Sequence, residues 1–256
     1  MFAGFYTAAS GVLSQQRTLN VLSNNIVNAK TPGYRAERVV SGTFDFELLT
    51  RIEAGKAIQI GAGSPIRIIQ EVPVNFDSNA QEETGRSLDV AIGGMGFFNI
   101  QDVLLEDTQE EPQVYLTRNG GFTVDEEGYL SLEGVGRVLG QRGEIRVEGS
   151  DFVIQQDGTV YNTRGRQVDK LLITWPQELT QLKKTTNGLY TIDAPQNNLT
   201  VENPKLYQGT LERSNIDVNR ELTLAMEAQR TFQSCSQALK IVDTMNQRAA
   251  SEIASL

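Results

Sequence analysis

The sequence contains no histidine, and this absence removes several classes of enzyme at once. Without histidine there is no Ser-His-Asp triad, and the commonest general base and a common zinc ligand are missing. The single cysteine, Cys235, cannot form a disulfide within the chain. It lies in a helical pattern between Phe232 and Leu239, which predicts a small buried thiol and not a nucleophile. We therefore expect no catalytic residue, no metal site and no cofactor.

Long hydrophobic runs and positive charge are also scarce. No run approaches the roughly 18 apolar residues that a membrane helix requires. The first 17 residues have neither a basic segment nor a continuous apolar one, so the sequence predicts no membrane insertion and no cleavable secretion signal. The net charge of −9 and the pI of about 4.7 disfavour the phosphate backbones of nucleic acids as partners.

The first part of the chain has the pattern of one amphipathic helix. Apolar residues recur in a single stripe over residues 5–26, at steps of three, four and seven. Pro32 cannot continue a helix, and Gly33 suits a turn position with positive φ. The helix is therefore predicted to end near Asn28 or Ala29.

The last part of the chain is predicted to be a second, longer helix that Asn215 or Asp217 caps. No glycine or proline interrupts it, and most steps of its stripe are three or four, which is coiled-coil-like spacing. The predicted stripe consists of Leu222, Ala225, Gln229, Phe232, Cys235, Leu239, Val242, Met245, Ala249 and Ile253. A helix with one apolar stripe must bury it, so the two helices are predicted to pair, either parallel or antiparallel.

The region between the helices is predicted to be mainly β. Short alternating or apolar segments are separated by turns such as "RNGG", "DEEG" and "QDG". We expect an extended connector over residues 36–77 and a β-rich domain over residues 78–211. Residues 1–35 and 212–256 would form a discontinuous, coiled-coil-like helical domain, so the predicted fold class is α+β, mainly β.

Four asparagines, Asn20, Asn24, Asn25 and Asn28, fall within nine residues near the end of the first helix. Asparagine competes for backbone hydrogen bonds and is a mediocre helix former. The pattern favours tight packing among several helices, where amides can bond to neighbouring backbones. A solvated polar face is the alternative interpretation.

Three segments carry a resemblance to a known family. "SNNIVNAKTPGYR" resembles the N-terminal signature of bacterial flagellar basal-body rod and hook proteins, although Ile26, Val27 and Asn28 replace the usual Leu-Ala-Asn. "QGTLERSNIDVNRELTLAMEAQRTFQSCSQALKIVDTMNQ" resembles the C-terminal segment of that family. "LDVAIGGMGFFNIQ" and "YLTRNGGFTVDEEGYLSLEGVGRVLG" resemble its central segment, so the match runs in order over most of the chain.

The resemblance implies a structural subunit of the flagellar rod and no enzymatic activity. A chain of this size resembles the mid-sized rod proteins, and the run "FYTAASGVLSQQ" favours the proximal-rod type over the distal-rod type. The subunit would polymerise through its terminal helices into the hollow shaft that transmits torque to the hook. Its implied partners are itself, other rod subunits, hook-side axial proteins and the flagellar type III export apparatus. Its implied location is the periplasmic part of the basal body.

Two groups of residues are the predicted interaction sites. The assembly interface is predicted to comprise Leu19, Leu22, Asn24, Asn25, Ile26 and Asn28 of the first helix and Leu222, Met226, Phe232, Leu239, Val242 and Met245 of the last. Thr31, Pro32, Gly33 and Tyr34 are predicted to set the direction in which the connector leaves the helix. The alternative for the apolar members is ordinary packing between the two helices of one chain.

Two competing interpretations start from the acidic residues. A β-rich carbohydrate-active enzyme would need a pair of carboxylates, for which Glu148, Asp151 and Asp157 are candidates, but turns also use such residues routinely. The carboxylates of residues 106–111 could hold a cation, but a solvated acidic loop explains them equally simply.

Overall fold

The computed structural model describes residues 2–43, 47–53, 56–63, 67–71, 80–102, 113–147, 149, 152–162, 164–179, 182–185, 188–192 and 198–254. Helix α1 spans Phe2–Val27 and is followed by a 3-10 turn at Asn28–Lys30, so it ends within two residues of the predicted position. Helix α2 spans Val218–Ala254. The side chain of Asp217 caps α2, because its Oδ1 accepts a hydrogen bond of 3.0 Å from the backbone N–H of Asn219.

The chain divides into two units. The helix unit contains residues 1–27, 37–75 and 216–256, and the β unit contains residues 28–36 and 76–215. Terminal helices and a central β-rich region confirm the predicted α+β class. None of the described helices combines the length and the hydropathy needed to cross a membrane.

In the helix unit, α1 and α2 are antiparallel. Gly11 lies beside Cys235, where a Cβ atom on the glycine would be 3.1 Å from the cysteine sulfur, and Asn25 lies beside Glu221 at the other end of the contact. Strands β1 (Val40–Thr43) and β4 (Arg67–Glu71) pair antiparallel, as do β2 (Glu47–Glu53) and β3 (Lys56–Gly63).

The predicted stripe of α2 is wrong at its first turns. Leu222 and Gln229 are exposed, whereas Glu221 and Ala228 are buried. A scale of apolar character assigns Glu221 to the exposed face, because a carboxylate is rarely buried unless it is paired. From Phe232 the predicted stripe faces inward through Cys235, Leu239, Val242 and Ala249, but Met245 is exposed and its neighbour Asn246 is partly buried instead.

The β unit contains the remaining strands. Their bounds are β5 Gln81–Glu83, β6 Val90–Ile92, β7 Phe97–Asp102, β8 Val114–Thr117, β9 Thr123–Val124, β10 Leu130–Leu132, β11 Gly136–Gly140, β12 Gly143–Glu144, β13 Val153–Ile154, β14 Thr159–Tyr161, β15 Gln167–Lys170, β16 Ile173–Pro176, β17 Leu182–Lys184, β18 Leu189–Ile192, β19 Asn198–Thr200, β20 Leu206–Gln208 and β21 Thr210–Glu212.

One large antiparallel sheet dominates the β unit. Its strand order is β17-β18-β8-β7-β11-β10-β9, with β12 paired to β11 and with β16 paired to both β7 and β19. Strands β13, β14 and β15 form a second antiparallel sheet, and two further pairs join β20 to β6 and β21 to β5. The last two pairs connect the end of the unit to its beginning, so residues far apart in sequence close it.

The core of the β unit is apolar and well packed. Phe98 and Phe122 are both fully buried and meet edge to face, with their ring centroids 5.0 Å apart. Phe97 is stacked on Trp175 at 5.7 Å. Aromatic pairs of this geometry add stability beyond the area that they bury.

Candidate functional site

The signature turn, residues 28–36, is folded into the β unit. The φ of Gly33 is +66°, and its backbone N–H donates a 2.7 Å hydrogen bond to the carbonyl oxygen of Glu212. A Cβ atom at this position would lie 2.3 Å from the carbonyl carbon and oxygen of Arg118. Both the positive φ and the close approach therefore require glycine here.

Beside this turn, Glu212 lies between two arginines inside the β unit. One carboxylate oxygen pairs with Arg35 Nη2, and the other is 3.2 Å from Arg118 Nη1. All three residues are buried. Two guanidinium groups thus share one carboxylate at a buried site. Removing one partner of a buried ion pair destabilises a protein far more than removing one partner of a surface pair. We call these three residues the arginine clasp.

The surroundings of the clasp supply more donors and acceptors. Burial lowers the pKa of Arg118, while Glu212 opposes that shift and Arg35 adds to it. Arg118 also donates to the carbonyl oxygen of Gly94 at 2.5 Å. Lys184 Nζ lies 3.7 Å from the ring centroid of Tyr34 and donates a 2.8 Å hydrogen bond to the carbonyl oxygen of Arg35. The clasp and Lys184 together therefore fix the signature turn to β17, to β21 and to the residue that follows β8.

In the helix unit, Asn25 is the centre of a second polar cluster. Its Nδ2 donates to the carbonyl oxygen of Glu37 at 3.0 Å, and its Oδ1 accepts from the N–H of Glu37 at 3.1 Å. Its Nδ2 also lies 3.2 Å from Glu221 Oε2. The amide of Asn25 therefore pairs with both the N–H and the carbonyl group of Glu37, as a partner in a β-ladder would.

Glu221 completes this cluster. Its side chain is fully buried, and Arg38 Nη2 lies 2.6 Å from its Oε1. A buried carboxylate without such partners would be very unfavourable. We call Asn25, Arg38 and Glu221 the asparagine cluster; it connects the end of α1, the segment after the signature turn and the first turn of α2.

The residues of the predicted assembly interface fall into three classes. Leu22, Asn25 and Asn28 are buried, Leu19, Ile26, Phe232, Leu239 and Val242 are partly buried, and Asn24, Leu222, Met226 and Met245 are exposed. The buried and partly buried residues of the helix unit pack within the chain, as the alternative interpretation allows. In the turn, Gly33 and Tyr34 are buried in the β unit, and Thr31 and Pro32 are partly buried.

The exposed apolar members belong to a larger set of apolar side chains that the helix pairing does not cover. The most exposed are Tyr6, Leu13 and Val27 of α1 and Met226, Ile241 and Met245 of α2. Single exposed apolar residues are ordinary, but a series along two paired helices indicates an interaction surface. This surface is the candidate functional site.

Sequence reasoning missed the charged residues of both clusters. Arg35, Arg118 and Glu212 lie in the quoted segments "TPGYR", "YLTRNGG" and "TLERSN", but a charge in a polar segment predicts exposure by default. Glu221 gave a usable signal, since it precedes the inward Ala228 by one heptad.

The competing acidic candidates have ordinary surroundings where they are described. Asp157 accepts hydrogen bonds from the backbone and the hydroxyl of Thr159, which is a turn arrangement. Glu148, Asp151 and residues 106–111 lie outside the described residues. Among the side chains that the structure does describe, no group of three or more cysteines and carboxylates is placed to share a metal ion.

Two family models match the two ends of the chain. Residues 5–35 match the model described as "Flagella basal body rod protein". Residues 207–252 match the model described as "Flagellar basal body rod FlgEFG protein C-terminal". The matched ranges contain most of α1 and of α2, residues 28–35 of the signature turn, and Glu212.

Curated relatives match over nearly the whole chain. The flagellar basal-body rod protein FlgG of Bacillus subtilis is 30% identical, over 96% of this chain and 97% of its own length. The flagellar hook-basal body complex protein FlhO of the same organism is 29% identical over the full length of both chains. The flagellar basal-body rod protein FlgF of Caulobacter vibrioides is 28% identical over 98% of each chain.

Proposed function

This chain belongs to the family of flagellar basal-body rod proteins, and from that premise we propose that it polymerises through α1 and α2 into the hollow shaft that transmits torque to the hook. The family is structural, so the chain is a structural component of the flagellar basal body and not an enzyme. The coiled-coil-like packing of the helices is part of the same proposal.

The observation that carries the proposal is the apolar surface that remains after α1 and α2 have paired. Leu222, Met226 and Met245 are 46%, 55% and 58% exposed, although each is apolar and large. Because about half of each side chain is already buried, burying the rest against another subunit would stabilise an assembly by roughly 1 kcal/mol for each. A helix pair intended to remain in water would more simply carry polar residues at these positions.

Within the family we propose the proximal-rod type, with the distal-rod type as the alternative. The run at residues 5–16 favours the first. Relatives named FlgF and FlgG match at 28% and 30% identity, so overall identity does not separate the types.

The proposed partners follow from a place in the rod. They are further copies of this chain, other rod subunits, hook-side axial proteins and the flagellar type III export apparatus. We propose that the chain reaches the periplasmic rod through that apparatus, without a cleavable signal.

The test introduces one charge into the exposed surface. Leu222→Glu and Met245→Glu are expected to abolish motility and to remove the chain from purified basal bodies when each replaces the native protein. Leu222→Met is the matched control, since it keeps an apolar side chain of similar volume at one of the two positions. The free energy of unfolding should stay within about 0.5 kcal/mol of the native value in all three variants.

The proposal would be wrong if the native chain were absent from purified basal bodies. It would equally be wrong if both glutamate variants assembled and supported swimming as the native chain does. Expression of each variant is compared by immunoblot, so that loss of assembly is not confused with loss of protein.

A further inference from the structure

A groove runs along one side of the helix pair. Its volume is about 300 Å³, and it is lined by both helices and by residues 37–39. Val21 and Leu22 of α1 and Leu224 and Ala228 of α2 give it an apolar floor. The groove spans residues 15–22 of α1 and 224–231 of α2, which is about two helical turns or about 12 Å.

A row of apolar side chains of the same length lies on α2. Val218, Leu222 and Met226 are 40%, 46% and 55% exposed. Their spacing of four residues places them in one line over about two turns, or about 12 Å. We call them the apolar row. Its length is therefore similar to that of the groove.

The apolar row and the groove lie on opposite sides of α2. At about 100° per residue, Leu222 and Met226 are about 140–200° away from the groove residues Leu224 and Thr231 around the helix axis. The row of one chain therefore cannot enter its own groove. A single twofold interface also cannot use both features, because they face in opposite directions.

The charges beside the two features are complementary. Arg230 follows Met226 by one turn, so a positive charge stands at the end of the apolar row. Glu37 and Glu227 line the groove, where Arg38 already pairs with the buried Glu221. A row inserted into a groove would bring Arg230 toward these carboxylates, which favours the correct alignment over a reversed one.

We propose that the apolar row of one copy of this chain inserts into the groove of the next copy, head to tail. The inference rests on the proposed function and names the contact between neighbouring subunits. Each copy offers a row on one side and a groove on the other, so the contact repeats without closing. A heterologous contact of this kind produces an open filament and not a symmetric dimer.

The test is disulfide cross-linking of the full chain in assembled basal bodies. The starting variant carries Cys235→Ala, so that no native thiol remains. Met226→Cys and Thr231→Cys are then introduced together, one in the apolar row and one in the groove. These two positions are about 140° apart on one helix and cannot form a disulfide within a chain. Ile241→Cys with Thr231→Cys is the control, since Ile241 is an exposed apolar residue of α2 outside the row.

The expected result on a non-reducing gel is a ladder of dimers, trimers and larger species for Met226→Cys with Thr231→Cys. The control pair and each single-cysteine variant should remain at least tenfold less cross-linked. Dimers from Met226→Cys alone would show contact between two rows and overturn the inference. A cross-link only to a different subunit, or no cross-link in assembled basal bodies, would also overturn it.

Failure of the inference is distinguishable from failure of the proposed function. A chain that is present in basal bodies but gives no ladder contradicts the groove contact and leaves the rod assignment intact. A native chain that is absent from basal bodies contradicts the rod assignment itself.

Discussion

The two units of this molecule differ in the residues that they bury most completely. In the β unit the fully buried side chains include Phe97, Phe98 and Phe122. Among the helix-unit residues whose exposure the structure describes, the side chains with no exposed surface are those of Asn25 and Glu221, while several large apolar residues remain in contact with water. The β unit is thus stabilised mainly by apolar packing, and the helix unit depends more on a buried polar cluster.

The difference indicates where each unit finds its stability. Apolar burial is non-directional and accumulates with area, so the β unit can be stable by itself. A polar cluster specifies an arrangement but contributes little net free energy, because its groups exchange hydrogen bonds with water for bonds with each other. We therefore expect the helix unit to unfold first and to gain most from assembly.

The largest loss in the free energy of unfolding is expected from a change in the arginine clasp, the buried charge cluster of the β unit. Glu212→Ala would leave Arg35 and Arg118 buried without their carboxylate, and the β unit should lose about 3–5 kcal/mol. The fluorescence of Trp175, the only tryptophan, reports this in a urea titration, because its ring is stacked on the core residue Phe97.

The control is an exposed ion pair in the same unit. Arg213 and Glu82 are 3.6 Å apart with both side chains more than half exposed, so Glu82→Ala should cost less than about 1 kcal/mol. Equal losses for Glu212→Ala and Glu82→Ala would show that the clasp contributes no more than a surface pair.

The next largest effect is expected at Gly33. Gly33→Ala should lower the free energy of unfolding for two reasons. The positive φ costs about 1 kcal/mol, and the close approach of the new Cβ atom to the backbone of Arg118 costs about 1–3 kcal/mol more. Gly165→Ala separates the two terms, since Gly165 has a φ of +70° but no neighbouring atom within 4 Å of a Cβ. A urea titration followed by Trp175 fluorescence should give a loss of about 1 kcal/mol for the control. If both variants lost the same amount, the signature turn would not be tightly held in the β unit.

The smallest of these effects is expected in the helix unit. Asn25→Ala removes the hydrogen-bond donor to the buried Glu221 and both hydrogen bonds to the backbone of Glu37. The free energy of unfolding of the helix unit should fall by about 1–3 kcal/mol. In this variant the helical circular dichroism signal should be lost at a lower urea concentration than in the native protein, while the midpoint reported by Trp175 fluorescence should not change. Asn24→Ala, at an exposed position, should leave both transitions within about 0.5 kcal/mol of the native protein. A single shared transition for both signals would contradict the proposed difference between the units.

Much of the fold could be predicted from periodicity. The stripes of α1 and α2 gave two helices with nearly correct ends, and the glycine turns gave a β-rich centre. What periodicity could not provide was the rotation of α2 at its first turns. An apolar scale selects Leu222, whereas the structure buries Glu221 because Asn25 and Arg38 satisfy its carboxylate.

The candidate site was predicted in part. Leu222, Met226 and Met245 are exposed, as an interface would require, but their assembly role stays a prediction. The clasp was not predicted, because it joins residues 177 positions apart in the sequence and no local pattern contains both.

That separation also orders events in time. A chain made from its N-terminus presents Arg35 and the signature turn early, but Glu212 is made 177 residues later. Contacts between residues so far apart close slowly, because chain entropy is lost before they form. The clasp can therefore form only after residue 212 has been made. A truncated product lacking residue 212 would keep two buried arginines without their counter-ion.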